Sequence, residues 1–350
     1  MTAVAPAGPA HLAPVPTAVL SQARERPDQP AVVDRYGTLT YADLVADAAA
    51  RAAALRPHLP ASDPVVAVLQ PRVAAVATSQ LAAWFAGAAF LPLDPYLPPA
   101  RIGQILTEAG CRVALAADDL ADRLPATVTV VRPGTGHLVT PTGPEGLAYL
   151  ISTSGSTGRP RQVEVAHRSL AGVLDWYGEF FGLRPGVRTA AFAGLAFDAC
   201  LLDLWAPLAR GATVLLAEEA VVREPDRILA TLREVDHCFL ATPLAEHLLR
   251  AGADTGRLRS LATGGDRLRT WPPAEFGAAV HNLYGPTEAT ILVTASGDLR
   301  RYADRSGLPP IGRAVAGARL RLDAVAADGT GELLIAGPPL ARGYRGAATA

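Results

Sequence analysis

Residues 147–170 read LAYLISTSGSTGRPRQVEVAHRSL, and the fold follows from how this stretch changes character midway. The apolar run 147–151 ends abruptly at Ser152, and every residue from Ser152 to Gly158 is Ser, Thr or Gly. So many small residues in a row cannot build a core. They can let backbone N–H groups and hydroxyls converge on an oxyanion, because glycine tolerates positive φ and close approach. Arg161, just after Pro160, adds a fixed positive charge beside them. Such a turn after a buried strand suits the phosphates of a nucleotide. It is not a Walker A loop, which ends Gly-Lys-Ser/Thr and launches a helix at once. Here Val163 and Val165 alternate with polar neighbours, so the loop joins two strands. A flexible linker is the plainer alternative. Linkers seldom sit between an apolar strand and an alternating one with Pro and Arg at the exit.

Upstream, residues 1–17 read as a disordered lead, 19–24 as a short helix and 31–33 as a strand closed by a turn at Tyr36-Gly37. Thr40, with Asp43 three residues on, caps an alanine-rich helix running through Leu55. Strands at 65–69, 88–91 and 113–116 are separated by helices at 72–87 and 99–109, closed by Gly87 and Gly110. Downstream, helices at 167–181, 197–208, 225–234 and 244–250 alternate with strands at 190–192, 213–216, 238–241, 261–265 and 279–283. From about Ile291 the helical periodicity stops, and segments rich in Val, Leu and Arg suggest a small β-barrel or sheet. The expected fold class is α/β: two doubly wound, mostly parallel βα subdomains, about 18–145 and 146–290, plus a small β-barrel subdomain, about 291–350. Such sheets bind ligands at the carboxyl ends of their strands, where the loop after Ile151 would sit.

Of 350 residues, 50% are hydrophobic and 19% charged, and the net charge is -1, which describes a globular chain and argues against nucleic acid as a partner. Cys111, Cys200 and Cys238 follow no metal-ligand spacing and read as reduced thiols of a cytoplasmic protein. No apolar run approaches the ~20 residues that span a bilayer, so no membrane partner is expected. All 32 basic residues are arginine, so a step needing a lysine ammonium cannot be done by this chain alone.

Further stretches supply what a phosphate loop needs. In Asn282-Leu283-Tyr284-Gly285-Pro286-Thr287-Glu288 an aromatic face for a purine precedes a Gly-Pro turn, a hydroxyl and a carboxylate able to hold Mg²⁺ against phosphate oxygens. Gly264-Gly265-Asp266 offers bare backbone for a flat ring. Asp198, at the head of an apolar helix, is an anion suited to an ammonium. Taken singly, Tyr284 is a packed aromatic, Glu288 a solvated acid, Asp198 a helix cap and Gly264-Gly265 an ordinary turn. Their order and company point elsewhere.

From about residue 19 to its last residue the chain resembles the adenylate-forming superfamily, specifically the N-terminal core of the amino-acid-activating adenylation domains of nonribosomal peptide synthetases. The motifs are LTYADL at 39–44, FLPLDP at 90–95, STSGSTGRPRQV at 152–163, FDAC at 197–200, TGGDRL at 263–268, NLYGPTEAT at 282–290, PIGR at 310–313 and GELLIAGPPLARGY at 331–344. The resemblance implies ATP-dependent formation of an aminoacyl-AMP, with ATP and Mg²⁺ as cofactors, and capture on the thiol of a peptidyl carrier protein; it leaves open whether an MbtH-like helper is needed. Thr153, Ser154, Gly155, Ser156, Thr157 and Gly158 would hold the phosphates. Asn282, Tyr284, Gly285 and Gly265 would frame the nucleotide, Thr287 would touch the α-phosphate, Glu288 would bind Mg²⁺ and Arg161 would supply the loop cation. Asp198 would take the substrate α-ammonium, and Ala199, Leu202, Phe239, Ala262, Gly264, Leu283, Ile291 and Leu292 would line the side-chain pocket. None of these eight is polar, so an apolar amino acid is expected, valine, leucine or isoleucine first. His167 is expected to be structural.

The family's loop ends Pro-Lys-Gly, whereas here it is Pro160-Arg161-Gln162, which keeps the charge but removes a permissive glycine. The family also continues past the LARGY motif into a lysine-bearing C-terminal domain that these residues do not include, so the expectation for this chain is substrate binding with slow adenylate formation. The competing readings are an acyl-CoA or aryl-acid ligase of the same superfamily, for which Asp198 would have no purpose, and a catalytically inactive binding homologue.

Overall fold

Short runs of β-branched and small apolar residues, buried on both faces, set the centres of two sheets: VVAVL at Val65–Leu69 and TVLL at Thr213–Leu216 are buried at every position. The computed structural model describes residues 13–140, 142–154, 160–222 and 224–346. Its strands are β1 (Pro30–Asp34), β2 (Gly37–Thr40), β3 (Val65–Leu69), β4 (Ala89–Pro92), β5 (Val113–Ala116), β6 (Thr129–Val130), β7 (Leu147–Ser154), β8 (Pro160–Ala166), β9 (Arg188–Ala191) and β10 (Thr213–Leu216). They continue with β11 (His237–Ala241), β12 (Ser260–Gly264), β13 (Ala279–Tyr284), β14 (Thr294–Ala295), β15 (Arg313–Ala314), β16 (Arg319–Asp323), β17 (Glu332–Ala336) and β18 (Gly343–Tyr344).

One sheet runs β15-β14-β13-β12-β11-β9-β10-β1-β2, with a parallel centre and antiparallel edges, and the other β18-β8-β7-β4-β3-β5-β6, parallel from β7 to β6 and antiparallel at the β7-β8-β18 edge. The α/β class stands. The expected division near residue 145 does not follow the sheets. β7 pairs with β4, Tyr149 opposite Phe90, so the phosphate-loop hairpin completes the sheet of the first half. β1 pairs with β10, Val32 opposite Val214, so the N-terminal hairpin completes the sheet of the second. Nor do residues beyond 291 close a barrel among the described residues. β16 and β17 form a two-stranded sheet, while β14, β15 and β18 extend the edges of the two large ones.

Between the sheets lie α1 (Val15–Glu25), α2 (Tyr41–Leu55), α3 (Ala75–Phe85), α5 (His167–Phe180) and α6 (Cys200–Ala209), whose apolar side chains share one cluster with Val66, Tyr149, Val214 and Phe239 of both sheets. α4 (Pro99–Ala109) packs in a separate cluster with Ala67 and Leu91, and ends at Gly110 in the left-handed conformation, φ 61°. Capping explains α2: the Thr40 hydroxyl accepts from the Asp43 N–H while the Asp43 carboxylate accepts from the Thr40 N–H. α1 begins at Val15, inside the stretch read as a disordered lead, because Pro16 is tolerated in a first turn and Val15 and Val19 are buried; residues 1–12 lie outside the described residues. At the centre, Trp84 and Trp205 lie 4.7 Å apart, their indole N–H groups donating to the Ala148 carbonyl and the Gln80 side chain. Among the described residues no helix is long and apolar enough to cross a membrane.

Candidate active site

β7 and β8 pair as an antiparallel hairpin in which Ser152 faces Gln162, Thr153 faces Arg161 and Ser154 faces Pro160. The loop therefore joins two strands, as its flanks predict. Thr153 and Ser154 end β7; Gly155, Ser156, Thr157 and Gly158 lie outside the described residues. Gln162 replaces the family's glycine without strain. Its φ is not positive, its side chain is buried, and its Oε1 accepts from the Ser152 hydroxyl at 2.9 Å. Arg161 stays exposed.

β12 and β13 end side by side at Gly264 and Tyr284. A Cβ on Gly264 would lie 2.5 Å from the Leu283 carbonyl oxygen, so only glycine fits there. Gly265 follows with φ 93° and open space about it, and Tyr284 is 40% exposed, giving bare backbone and an aromatic face at neighbouring strand ends. Asn282 is tied down, its amide donating to the Pro310 carbonyl at 3.1 Å. A Cβ on Gly285 would strike Leu292 Cα, so the turn after Tyr284 presses directly on the 291–292 backbone.

That turn carries Thr287 and Glu288 in one turn of 3₁₀ helix, followed by Thr290 and Ile291 at φ 53° and 73°. Left-handed backbone at β-branched residues costs about 1–3 kcal/mol each and persists only where surroundings enforce it. Here the Thr290 hydroxyl donates to the Pro339 carbonyl at 2.6 Å and the Val293 N–H to the Tyr284 carbonyl at 2.8 Å.

Asp198 does not begin a helix. α6 starts at Cys200 with Ala199 at its N-cap and no side-chain cap, so Asp198 stands in the turn before it and the capping role fails. Its carboxylate lies near the Thr287 hydroxyl and the Ala199 N–H, while Oδ2 is buried without a partner. Burial raises its pKa; the Thr287 hydroxyl and the Ala199 N–H oppose that shift and nearby Glu288 adds to it. A buried carboxylate oxygen with no donor is a place for a ligand's ammonium. Phe239 faces Ala262 across β11 and β12. Leu202, Phe239, Ala262, Leu283, Ile291 and Leu292 are buried in a single apolar cluster, with Ala199 packed against it and buried Gly264 at the β12 end.

On the other side of the turn, the Tyr344 hydroxyl donates to Glu288 Oε1 at 2.6 Å, and the Arg161 guanidinium carbon lies 5.2 Å from the Tyr344 ring centre. Thr287, Glu288 and Arg161 are thus neighbours. The described residues hold no cluster of three or more His, Cys, Asp or Glu suited to a metal. A single accessible carboxylate fits Mg²⁺, which takes one or two protein carboxylates and shares the rest of its shell with phosphates and water.

Two supporting residues escaped sequence reasoning. Arg72 is buried and donates to the Ala191, Ala193 and Ala217 carbonyls at 2.6, 2.7 and 2.9 Å. Asp203 Oδ2 accepts from the Phe192 and Ala193 N–H groups, both at 2.9 Å. Together they pin the backbone that leads from β9 into the Asp198 turn. The signal was an acid inside the apolar run CLLDLW. His167 is buried with Nδ1 unpartnered, and burial lowers its pKa to about 3, so it is neutral.

A family model described as AMP-binding enzyme matches residues 19–345. A linear gramicidin synthase of Brevibacillus parabrevis is 35% identical over 342 residues, 92% of this chain and 7% of that protein. The nonribosomal peptide synthetase FmoA3, solved with AMPPNP bound, is similar with a TM-score of 0.84 and 29% identity, covering 97% of this chain and 39% of that one. The artificially fused NpsA-ThdA adenylation-PCP di-domain from Klebsiella oxytoca matches at a TM-score of 0.84 and 21% identity over 96% of this chain and 71% of that one, a likeness of fold alone.

Proposed function

Because this chain belongs to the AMP-binding enzyme family, with synthetases of nonribosomal peptides among its relatives, we propose that it activates an apolar α-amino acid as the aminoacyl-AMP for transfer to a carrier-protein thiol. The observation that carries this reading is the Asp198 carboxylate, buried with one oxygen unpartnered, and the residues read as the side-chain pocket are apolar. A fatty or aryl acid would leave that oxygen without a donor. An α-ammonium satisfies it and fixes the substrate with its carboxylate directed away from the apolar wall.

In the reaction a substrate carboxylate oxygen forms a bond to the α-phosphorus of ATP, the bond to the β-phosphate oxygen breaks, and pyrophosphate leaves. Asp198 orients the amino acid, Tyr284 and Gly265 bracket the adenine, and residues 153–158 with Arg161 cradle the phosphates. Mg²⁺ held by Glu288 would neutralise phosphate charge. Thr287 has two roles in this scheme: its hydroxyl holds Asp198 and stands beside the α-phosphate position. No lysine is present in these 350 residues, so a lysine ammonium for the transition state has to come from elsewhere. Three free, buried cysteines accord with a reduced, cytoplasmic setting.

Calorimetric titration with ATP and a panel of amino acids tests the proposal. Valine, leucine or isoleucine should bind more tightly than serine, aspartate or lysine by ~1–3 kcal/mol, about 10- to 200-fold. Equal affinity across the panel, or preference for an aryl or fatty acid, would overturn it.

A further inference from the structure

A glutamate side chain has several rotatable bonds, and fixing it at a metal position loses rotamer freedom unless the protein has already ordered it. Glu288 is ordered twice over by one segment. The Ala341 N–H donates to its main-chain carbonyl at 2.8 Å, and the Tyr344 hydroxyl donates to its Oε1 at 2.6 Å, the short range of a charge-assisted O–H···O⁻ bond. No other hydrogen bond to the Glu288 side chain occurs among the described residues.

The strap carrying Tyr344, residues 338–345, is tied to three neighbouring segments. On the turn side, Pro339 accepts from Thr290. On the helix side, the Ser169 hydroxyl donates to the Pro338 carbonyl at 2.8 Å. On the hairpin side, Tyr344 lies opposite Val163, the Arg345 N–H donates to the Gln162 carbonyl at 2.9 Å, and the Arg345 guanidinium pairs with Glu164 at 2.9 Å. The Arg161 guanidinium stands over the Tyr344 ring. One phenol therefore touches the carboxylate read as the metal ligand and the cation read as the phosphate anchor.

We infer that Tyr344 is a positioning residue: its hydroxyl holds the Glu288 carboxylate in the orientation that receives a nucleotide-bound divalent cation, and its ring seats Arg161 beside it. The inference rests on the reading of Glu288 as the metal ligand. Supporting partners of metal ligands commonly contribute 10- to 100-fold to metal affinity.

The test is calorimetric titration of the whole chain with ATP, once with excess Mg²⁺ and once in EDTA, without amino acid. In the unaltered chain Mg²⁺ should strengthen binding, and Glu288→Gln should abolish that gain. Tyr344→Phe keeps the ring and the Arg161 contact and removes only the hydroxyl. It should reduce the gain about 10-fold and leave affinity in EDTA unchanged. Ser169→Ala loosens the strap without touching the phenol; it should lower the melting temperature and leave the gain intact. If Tyr344→Phe retains the full gain, or weakens binding equally in both media, Tyr344 does not position Glu288. If the unaltered chain shows no gain, or Glu288→Gln keeps it, the metal-ligand reading falls and the inference with it.

Discussion

Replacing Asp198 by asparagine separates binding from stability. The change keeps the side-chain volume and removes the charge. In the folded chain the carboxylate has the Thr287 hydroxyl on one side and nothing on Oδ2, so an incoming ammonium would provide a buried, charge-assisted partner. Truncating one member of such a pair costs about 2–5 kcal/mol; at about 3 kcal/mol amino-acid affinity should fall roughly 150-fold. ATP affinity should hold. Stability should move the other way. Because the folded pKa of Asp198 is raised, the folded chain binds more protons than the unfolded one between the ordinary aspartate value and the raised one. Stability therefore falls as pH rises through that window, and the cost is fully present above the raised value. The amide has no charge to bury, so the Asp198→Asn variant should melt at or above the temperature of the unaltered chain at neutral pH. Calorimetry with the preferred amino acid and with ATP, beside thermal melts, measures all three. Unchanged amino-acid affinity, or an equal loss of both affinities with an early melt, would refute the reasoning.

Gly264→Ala forces a methyl against the Leu283 carbonyl, and a shift of β12 or β13 should cost about 1–3 kcal/mol in urea unfolding and impair amino-acid binding more than ATP binding. Arg72→Met leaves the Ala191, Ala193 and Ala217 carbonyls without their donor and should destabilise by about 3–5 kcal/mol, read as a lower urea midpoint. His237 is buried between the Tyr177 hydroxyl at 2.7 Å and the Ser260 hydroxyl at 2.8 Å, and burial lowers its pKa to about 3. The unfolded histidine takes a proton below its ordinary value and the folded one does not, so stability is full above about 6.5 and is lost as pH falls towards 3. His237→Gln should flatten the fall by up to about 1.4 kcal/mol per pH unit, checked by urea unfolding at successive pH values.

Local signals were legible where local chemistry decides. The Thr40–Asp43 box, the Gly110 stop and the strand-loop-strand at residues 147–166 all appear where the residues put them. Partner choice was not legible. Residues 31–33 read as a strand, but nothing in PAVVD names β10, almost two hundred residues on, as its neighbour. The pocket residues rest on the resemblance alone; the fold sets Phe239 opposite Ala262 across β11 and β12. Arg72 was opaque, since its partners are backbone carbonyls that only the folded chain brings together. Thr290 and Ile291 gave no warning of positive φ, because β-branched residues adopt it only under tertiary constraint.

The exchange of hairpins between the sheets bears on how this chain is made. While the first 145 residues leave the ribosome, β4 has an open edge that β7 must later cover, and β1 waits for a strand that does not yet exist. Neither sheet can close until most of the chain is synthesised, so a nascent form should expose bare edges for many seconds at ~5–20 residues per second. Dividing the gene at residue 145 would yield two insoluble fragments, each holding the piece the other lacks, and mixing them during refolding should recover what neither achieves alone.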